Sequence, residues 1–286
     1  MQLHELQLCP NGSAEKSLEF LRDISQNPRI LESQNQKMKF PKNTKTVYYF
    51  GTCLIDMCYP ESGLAGINLL KREGLEVVFP MDQTCCGQPA YNSGFRAEAK
   101  AVARKQVEVF SEHDWPIIVP SGSCAGMMRY HYPQLFKDDP DYFKVRRFSE
   151  RVFELTQFLN RGLNVSYKDK GTPLRLAWHS SCHARTEMAC IEDSKSLIGQ
   201  LSNVTLVPIE NEHECCGFGG TFSVKQPEIS AAMVRDKADA IARTGVDLFL
   251  TGDCGCMMNI AGYMEKQKMN IRGRHIADFL WERING

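Results

Sequence analysis

The sequence predicts an α/β protein with two pseudo-repeated units, each a small, mainly parallel sheet flanked by helices. Two observations support this fold class. Cysteines recur with matched spacing in the two halves of the chain. In each half, short β-branched or aromatic runs alternate with longer amphipathic stretches. Such alternation is typical of parallel strands joined by helical crossovers. A mixed α+β arrangement of the same elements is the alternative.

The cysteine repeat has the same order in both halves: one cysteine, then an adjacent pair, then a third position. The first cysteine and the pair are separated by 31 residues in the first half and by 32 in the second. The pair and the third position are separated by 37 residues in the first half and by 37 or 39 in the second. The positions are Cys53, Cys85, Cys86 and Cys124, then Cys182, Cys215, Cys216 and either Cys254 or Cys256. We infer a duplicated unit.

The predicted elements follow this repeat. Each unit is expected to contain strand, helix, strand, helix, strand, helix, because β-branched and aromatic runs favour strands. The strands are expected at 47–50, 75–79 and 117–119, with counterparts at 176–178, 203–207 and 247–250. Helices are expected over 97–110 and 231–244, where apolar residues recur at helical spacing.

The repeat also sets the domain boundaries. The first unit is expected to span 46–165 and the second 172–286, with the polar, turn-rich stretch 168–173 (KDKGTP) at the seam. Residues 1–45 lie outside the repeat and are interpreted as an N-terminal extension or linker with a helix over 13–24. Cys9 has no counterpart in the repeat and is expected to be incidental.

Composition excludes several classes of function. The chain has 286 residues, with 34 Lys+Arg and 34 Asp+Glu, so its formal net charge is zero. A nucleic-acid or anionic-membrane surface requires a positive excess, and neither is expected. Apolar runs such as 117–119 are too short for a transmembrane segment. Residues 1–5 lack the features of a signal peptide, so a cytoplasmic location is expected, with membrane association only through partners.

Each repeated cysteine follows a predicted strand. Because the carboxyl ends of parallel strands meet at one edge of a sheet, four thiols should converge in each unit. Twelve cysteines in a reducing cytoplasm do not indicate a disulfide framework, and converging thiolates suit zinc or an iron–sulfur cluster. A strained disulfide within each adjacent pair, acting as a redox switch, is a minor alternative.

The adjacent pairs favour a multinuclear cluster over zinc, because zinc sites usually use short C-x2-C loops. Gly87 and the run 217–220 (GFGG) would let backbone amides approach the sulfurs and tune a cluster. Simple turn formation explains the same glycines equally well. The GFGG run is also a weak phosphate-loop motif, but no nucleotide fingerprint accompanies it.

At these residues the sequence resembles the cysteine-rich CCG-domain family, whose pattern is a cysteine, a Cys-Cys-Gly motif and a further cysteine. The resemblance rests on residues 85–94 (CCGQPAYNSG), 215–225 (CCGFGGTFSVK) and 256–260 (CMMNI), and it covers 46–286. It is strongest to the duplicated lactate-utilisation proteins of the LutA/YkgE type. The chain is also similar to the iron–sulfur subunits of glycolate and glycerol-3-phosphate dehydrogenases and to the CCG-containing subunit of heterodisulfide reductase.

The resemblance implies an iron–sulfur electron-transfer subunit with one or two [4Fe-4S] clusters per chain, zinc being a substitute in one unit. It implies a ferredoxin-like LutB-type partner, a LutC-type partner and flavin-independent oxidation of L-lactate or a related 2-hydroxy acid. The implied ligands are Cys53, Cys85, Cys86, Cys124, Cys182, Cys215, Cys216 and Cys256, with Cys254 as a candidate fifth sulfur. Two alternatives remain open: a heterodisulfide or thiol–disulfide reductase subunit, and a zinc-stabilised redox-sensing scaffold.

The chain departs from the heterodisulfide reductase pattern, which closes with a C-x2-C pair. Met127 and Met257 stand three residues after Cys124 and Cys254, so the non-cubane cluster of that relative is in doubt in the first unit. Four methionines follow the third-position cysteines, and packing in the core is their expected role. They are Met127, Met128, Met257 and Met258.

Several further residues are weaker candidates, and no catalytic residue is predicted. Cys58 and Cys190 could add a ligand, but a free cysteine is commonly buried as a small hydrophobe. Three histidines near the strand ends are expected to have surface or hydrogen-bonding roles rather than to ligate: His179, His183 and His213. Four charged loop residues could position a hydroxy acid or relay protons, although solvated loop positions are commoner: Asp82, Asp253, Glu214 and Arg185.

Overall fold

The computed structural model describes residues 38–285 and contains two four-stranded parallel sheets within them. The predicted helix over 13–24 and Cys9 lie outside the described residues. The first sheet consists of β1 (Thr46–Tyr49), β2 (Glu76–Val78), β3 (Ile117–Val119) and β4 (Val152–Glu154), and the second of β5 (Leu174–Trp178), β6 (Val204–Val207), β7 (Leu248–Thr251) and β8 (Arg272–His275). The strand orders are β2-β1-β3-β4 and β6-β5-β7-β8. The predicted α/β class with two pseudo-repeated units is confirmed.

A helix follows every strand in both sheets. The first half contains α1 (Cys53–Cys58), α2 (Pro60–Arg72), α3 (Gln88–Asn92), α4 (Arg96–Val109), α5 (Gly122–Gly126), α6 (Tyr132–Leu135), α7 (Tyr142–Glu150), α8 (Leu155–Gln157) and two π-helical turns, Met127–His131 and Phe158–Gly162. The second half contains α9 (Cys182–Thr186), α10 (Ile191–Gly199), α11 (Phe222–Lys225), α12 (Pro227–Ala242), α13 (Cys254–Lys266) and α14 (Ile276–Asn285). The helix predicted over 97–110 is α4. The one predicted over 231–244 is α12, which begins earlier because Pro227 suits a first helical position.

The fourth strand of each sheet departs from the prediction of three strands per unit. β4 has only three residues, and β8 has the sequence RGRH, whose polar side chains carry no strand pattern. Both strands form by parallel pairing with a buried neighbour, as in the Ile118–Phe153 and Phe249–Gly273 pairs. Tertiary pairing therefore overrides weak local propensity at these edges.

The strand ladders identify equivalent residues in the two halves. The last pair of each central ladder contains Ile118 in the first sheet and Leu250 in the second. Cys124 lies six residues after Ile118, and Cys256 lies six residues after Leu250. Cys256 is therefore the structural counterpart of Cys124, whereas Cys254 occupies an additional position.

The two halves pack against each other through helices of both halves. The last helix of the second half, α14, packs on α2 of the first half, and α8 of the first half packs on α10 of the second. Ser62 of α2 donates a hydrogen bond to Asp278 Oδ2 of α14 at 2.6 Å. Gly122 lies so close to α9 that a Cβ added to it would be 2.5 Å from Ala184 Cβ. The helices that follow two of the cysteine-bearing strands are therefore in direct contact.

The longest helix among residues 38–285 is α12, with 16 residues. No helix in this described range is long and apolar enough to cross a membrane. The core consists of the apolar strand side chains and the helix faces that cover them. Met127, Met128 and Met257 are buried in it, as predicted, and Met258 is half-buried.

Candidate metal centres

The repeated cysteines of both halves line one cavity of about 350 Å³. Each half contributes the residues that the repeat predicts, because its three cysteine-bearing loops follow three adjacent parallel strands. The cysteines at the cavity wall are Cys53, Cys85, Cys86, Cys124, Cys182, Cys215, Cys216, Cys254 and Cys256. All cysteines within residues 38–285 are free thiols, so the disulfide considered for the adjacent pairs is not formed.

In the first set, the thiols pair across the loops. Cys53 Sγ donates to Cys85 Sγ at 3.8 Å, and Cys86 Sγ donates to Cys124 Sγ at 3.4 Å. Hydrogen bonds from the Cys53 and Cys86 thiols and from the Gly87 amide lower the pKa of Cys85 to about 3. The hydrogen bond to Cys85, together with burial, raises the pKa of Cys53. One thiolate is therefore surrounded by thiols that a metal ion would deprotonate on binding.

The second set repeats this electrostatic pattern. Hydrogen bonds from the Cys182 and Cys216 thiols and from the Gly217 amide lower the pKa of Cys215 to about 2. Hydrogen bonds to Cys215 and Cys256 and burial raise the pKa of Cys216. The same residue of each motif, the first cysteine of the pair, is thus the stable thiolate.

The glycine of each Cys-Cys-Gly motif places an amide on this thiolate. Gly87 and Gly217 have φ values of 82° and 80°, in the left-handed region that favours glycine. Their amides donate to Cys85 Sγ and Cys215 Sγ, both at 3.4 Å. A Cβ added to Gly217 would lie 2.8 Å from the Ser230 carbonyl oxygen. At the second motif, glycine is therefore required by both conformation and close approach.

A side chain from a neighbouring helix holds the backbone of each second cysteine. The Tyr132 hydroxyl donates to the Cys86 carbonyl at 2.8 Å, and Asn259 Nδ2 donates to the Cys216 carbonyl at 2.8 Å. Different residue types thus perform the same positioning in the two halves.

Asp253 joins the two halves at the cavity wall. Its Oδ1 accepts hydrogen bonds from Ser121 Oγ at 2.6 Å and Ser123 Oγ at 2.7 Å, both from the first half. Its Oδ2 accepts a hydrogen bond from Ser181 Oγ. Although burial raises its pKa, these donors hold the pKa of Asp253 below its usual value. Both carboxylate oxygens are therefore engaged by protein donors.

His179 is buried beside the second set rather than at the surface. It is only 1% exposed, and a ring nitrogen lies with Cys216 Sγ and Cys256 Sγ in a group whose members are within 4.8 Å of one another. Burial lowers its pKa to about 3, so the ring is neutral. Among the described residues, neither ring nitrogen has a hydrogen-bond partner. Its counterpart, also three residues before the first cysteine, is Phe50.

His183 is half-buried and lines the cavity, with Nδ1 3.3 Å from Cys182 Sγ. The remaining candidates lie away from the cavity wall. Cys190 is buried and its thiol faces the Ala184 carbonyl at 3.6 Å. The others are exposed: Cys58, Asp82, Arg185, His213 and Glu214.

Sequence reasoning missed Lys237, which is 1% exposed on α12. Its Nζ donates to the carbonyls of Asn211 at 2.8 Å and Glu212 at 3.2 Å, in the loop before Cys215. Position 237 lies three residues after Val234 on the buried face of the helix. The sequence signal that could have identified Lys237 is a lysine among apolar residues at helical spacing.

The donor sets fit a soft metal centre. Four thiolate sulfurs in each half are the ligands of zinc and iron–sulfur sites, and amide-to-sulfur hydrogen bonds suit the latter. The Sγ separations of 3.4 and 3.8 Å in the first set are near the spacing of about 3.8 Å between two sulfurs that share one tetrahedral ion at about 2.3 Å, as in a zinc site. The cysteines of a [4Fe-4S] cluster bind different irons, so they would have to stand further apart than these pairs do. The residues therefore have the chemistry to hold such a group.

The comparisons with known proteins follow the same repeat. The cysteine-rich domain family, CCG, matches residues 47–129 and 176–261. A relative from an Exiguobacterium species named Lactate utilization protein A is 43% identical over 240 residues, which is 83% of this chain and 98% of that protein. A Bacillus subtilis relative with the same name is 39% identical over 237 residues, covering 82% of this chain and 98% of the relative.

The fold is also similar to a crystal structure of a hypothetical protein from Helicobacter pylori. The TM-score is 0.63 at 8% sequence identity, and the match covers 93% of this chain. The chain spans about half the length of that protein, 54%, and the likeness concerns the fold alone. Two CCG matches, two thiolate sets and the curated relatives agree, and the chain therefore belongs to the cysteine-rich CCG-domain family that includes the lactate utilization protein A sequences.

Proposed function

We propose that the chain is an iron–sulfur electron-transfer subunit of an oxidoreductase complex that oxidises L-lactate or a related 2-hydroxy acid without a flavin. One observation carries the proposal: the cysteines of a duplicated unit converge as two thiolate sets on one cavity. The name of the relatives, Lactate utilization protein A, supports lactate as the substrate of the system. We propose a ferredoxin-like LutB-type subunit and a LutC-type subunit as partners.

Two groups of residues would hold the metal. They are Cys53, Cys85, Cys86 and Cys124 in the first set, and Cys182, Cys215, Cys216 and Cys256 in the second. A [4Fe-4S] cluster bound there supplies one-electron transfer. The Gly87 and Gly217 amides stabilise the negative charge on Cys85 and Cys215.

Burial within each set favours exchange through the cavity. The second cysteine of each pair and the third-position cysteine are buried, whereas the first cysteine of each pair is half-buried. The polypeptide therefore covers one side of each set and leaves the cavity side accessible. Both sets can exchange electrons there with each other or with a partner.

The test is the metal content of anaerobically purified protein, measured as iron, acid-labile sulfide and zinc per chain, with EPR before and after reduction. Two [4Fe-4S] clusters would give about eight irons per chain. Cys86→Ser and Cys216→Ser should each remove about half of the iron, from different sets. Cys58→Ser is the matched control, because Cys58 is exposed and lies away from the cavity. Absence of iron and sulfide after reconstitution would contradict the proposal.

A zinc site is a second candidate for the second set. The grouping of a His179 nitrogen with Cys216 Sγ and Cys256 Sγ favours it, because imidazole and thiolates together bind zinc well. Zinc without iron, and without visible absorbance, would support this assignment.

A disulfide reductase is the other candidate. Cys254 supplies an additional thiol to the cavity wall beside the second set. Addition of a low-molecular-weight disulfide to the reduced protein should then oxidise it and yield the free thiol. Reduced protein that is inert to disulfides would exclude this activity.

A further inference from the structure

We propose that Lys237 and His179 raise the reduction potential of a redox group held by the second thiolate set. In the first set, Gln106 and Phe50 occupy the equivalent positions. The inference rests on the proposed function, because it concerns a redox-active group held by these thiolates. It adds two residues of this chain that would tune that group.

The equivalence of Gln106 and Lys237 follows from how each Cys-Cys-Gly motif contacts the next long helix. A Cβ added to the glycine of the first motif would lie 3.4 Å from the Ala99 carbonyl oxygen. At the second motif it would lie 2.8 Å from the Ser230 carbonyl oxygen. Gln106 is seven residues after Ala99, and Lys237 is seven residues after Ser230. The two side chains therefore project from the same point of α4 and α12.

The two side chains also perform the same structural task. Gln106 Nε2 donates to Thr84 Oγ1 at 2.5 Å and approaches the Cys85 carbonyl at 3.5 Å. Lys237 Nζ donates to two carbonyls of the loop that leads to Cys215. Both residues thus hold the loop before the cysteine pair, but only Lys237 adds a positive charge there.

Nearby carboxylates oppose the charge of Lys237 only in part. Glu212 is paired with Lys195 Nζ at 2.8 Å, and Glu214 is exposed, so water and salt screen its charge. The buried carboxylate of Asp253 acts on Cys256 in the opposite direction to Lys237. Lys237 is itself buried, and a buried charge acts through a lower effective dielectric constant. Loss of its charge should therefore make the field at the second pair less positive.

His179 also favours the reduced state of a group held by the second set. A neutral imidazole has one N–H group, and a buried donor without a partner costs free energy. Among residues 38–285 no hydrogen-bond acceptor engages either ring nitrogen, while Cys216 Sγ and Cys256 Sγ lie close to the ring. An N–H to sulfur hydrogen bond there stabilises the reduced state. Phe50 offers no such donor to the first set.

Lys237 and His179 therefore stabilise an added negative charge more strongly at the second set than Gln106 and Phe50 do at the first. In the titration, dithionite is oxidised and supplies one electron to the group held by the second set, which is reduced by one. No bond of the polypeptide forms or breaks.

The test is an EPR-monitored redox titration of the anaerobic, metal-loaded full chain. Cys86→Ser and Cys216→Ser assign the two signals to their sets. The unmodified protein gives the reference potential of each set. Lys237→Gln, which copies the first set, should lower the equilibrium constant for reducing the second set at least about tenfold, a shift of about 59 mV for one electron. The potential of the first set should stay unchanged.

Matched variants separate charge from structure. Lys237→Arg keeps the positive charge and should leave the potential of the second set unchanged. If Lys237 had a purely structural role, the Arg and Gln variants would shift that potential equally. Lys237→Met is the alternative uncharged variant should the Lys237→Gln protein fail to fold. His179→Phe should lower the same potential, and Gln106→Lys should raise that of the first set.

Each outcome is decisive. With both sets loaded, an unchanged potential of the second set in both uncharged Lys237 variants would overturn the inference and leave the proposed function standing. Protein that takes up no metal in either set would overturn the inference and the proposed function together.

Discussion

Asp253 Oδ1 accepts a hydrogen bond from Ser121 Oγ at 2.6 Å, although the two residues are 132 positions apart in the chain. Ser121 follows the β3 strand end in the first half, and Asp253 precedes α13 in the second. Both line the cavity that the two thiolate sets share. A single buried carboxylate thus couples the loop of Cys124 to the loop of Cys256.

Removing this carboxylate should destabilise the fold. Asp253→Ala leaves buried serine donors without an acceptor, so we expect the free energy of unfolding of the metal-free protein to fall by roughly 2–4 kcal/mol. Urea denaturation measures it. Asp82→Ala is the control, since Asp82 is exposed and its loss should change stability by about 0.5 kcal/mol or less. Equal losses in the two variants would contradict the coupling role.

The glycine of the second motif should be intolerant of a side chain. Gly217 and Gly74 have nearly equal φ values of 80° and 81°, but a Cβ at Gly217 would lie 2.8 Å from the Ser230 carbonyl and one at Gly74 would meet nothing within 4 Å. Gly74→Ala should cost about 1–2 kcal/mol for the left-handed backbone alone. Gly217→Ala should cost more, measured by thermal unfolding, and should also reduce metal retention. Identical melting temperatures would show that the contact with Ser230 is unimportant.

The carbonyl contacts of Tyr132 and Asn259 should control metal retention independently in the two sets. Tyr132→Phe removes the hydrogen bond to Cys86, and Asn259→Ala removes the one to Cys216. Loss of either hydrogen bond should destabilise the folded loop by on the order of 1 kcal/mol. In a chelator challenge followed by EPR, the Tyr132 variant should lose metal faster from the first set only, and the Asn259 variant from the second only. Each variant is the control for the other.

Stability should depend on pH through Glu154. Its side chain is 3% exposed and accepts hydrogen bonds from Thr156 Oγ1 and the Gln157 amide. Burial raises its pKa from 4.5 to about 7. Between these values the unfolded chain loses the proton while the folded protein keeps it. The contribution of Glu154 to the free energy of unfolding should therefore be greatest below pH 4.5. It should fall by about 3 kcal/mol as the pH rises to 7.

Glu154→Gln should remove this contribution, so that urea denaturation at a series of pH values gives a flatter profile over the same range. Glu150→Gln, at an exposed position on α7, should leave the profile unchanged. If the stability of the Glu154→Gln variant still fell by the same amount, the pH dependence would belong to another group.

The duplication, the α/β class and the two sets of converging cysteines are all predictable from the amino-acid sequence. These follow from short-range patterns: apolar strands, amphipathic helices and a cysteine at each strand end. Since parallel strands place their carboxyl ends at one edge, the convergence of Cys53, the Cys85–Cys86 pair and Cys124 needs no further information.

The differences between the halves that matter emerge only once the chain has folded. β8 forms from the polar sequence RGRH because β7 offers it a ladder. The cysteine spacing leaves both Cys254 and Cys256 open, and the ladder register agrees with the family resemblance in making Cys256 the counterpart of Cys124. Burial of Lys237 and His179 beside the second set arises from contacts between residues far apart in the chain. Local sequence patterns do not encode the burial of a side chain or the electrostatic field around it, because both depend on what packs against that side chain in the folded protein.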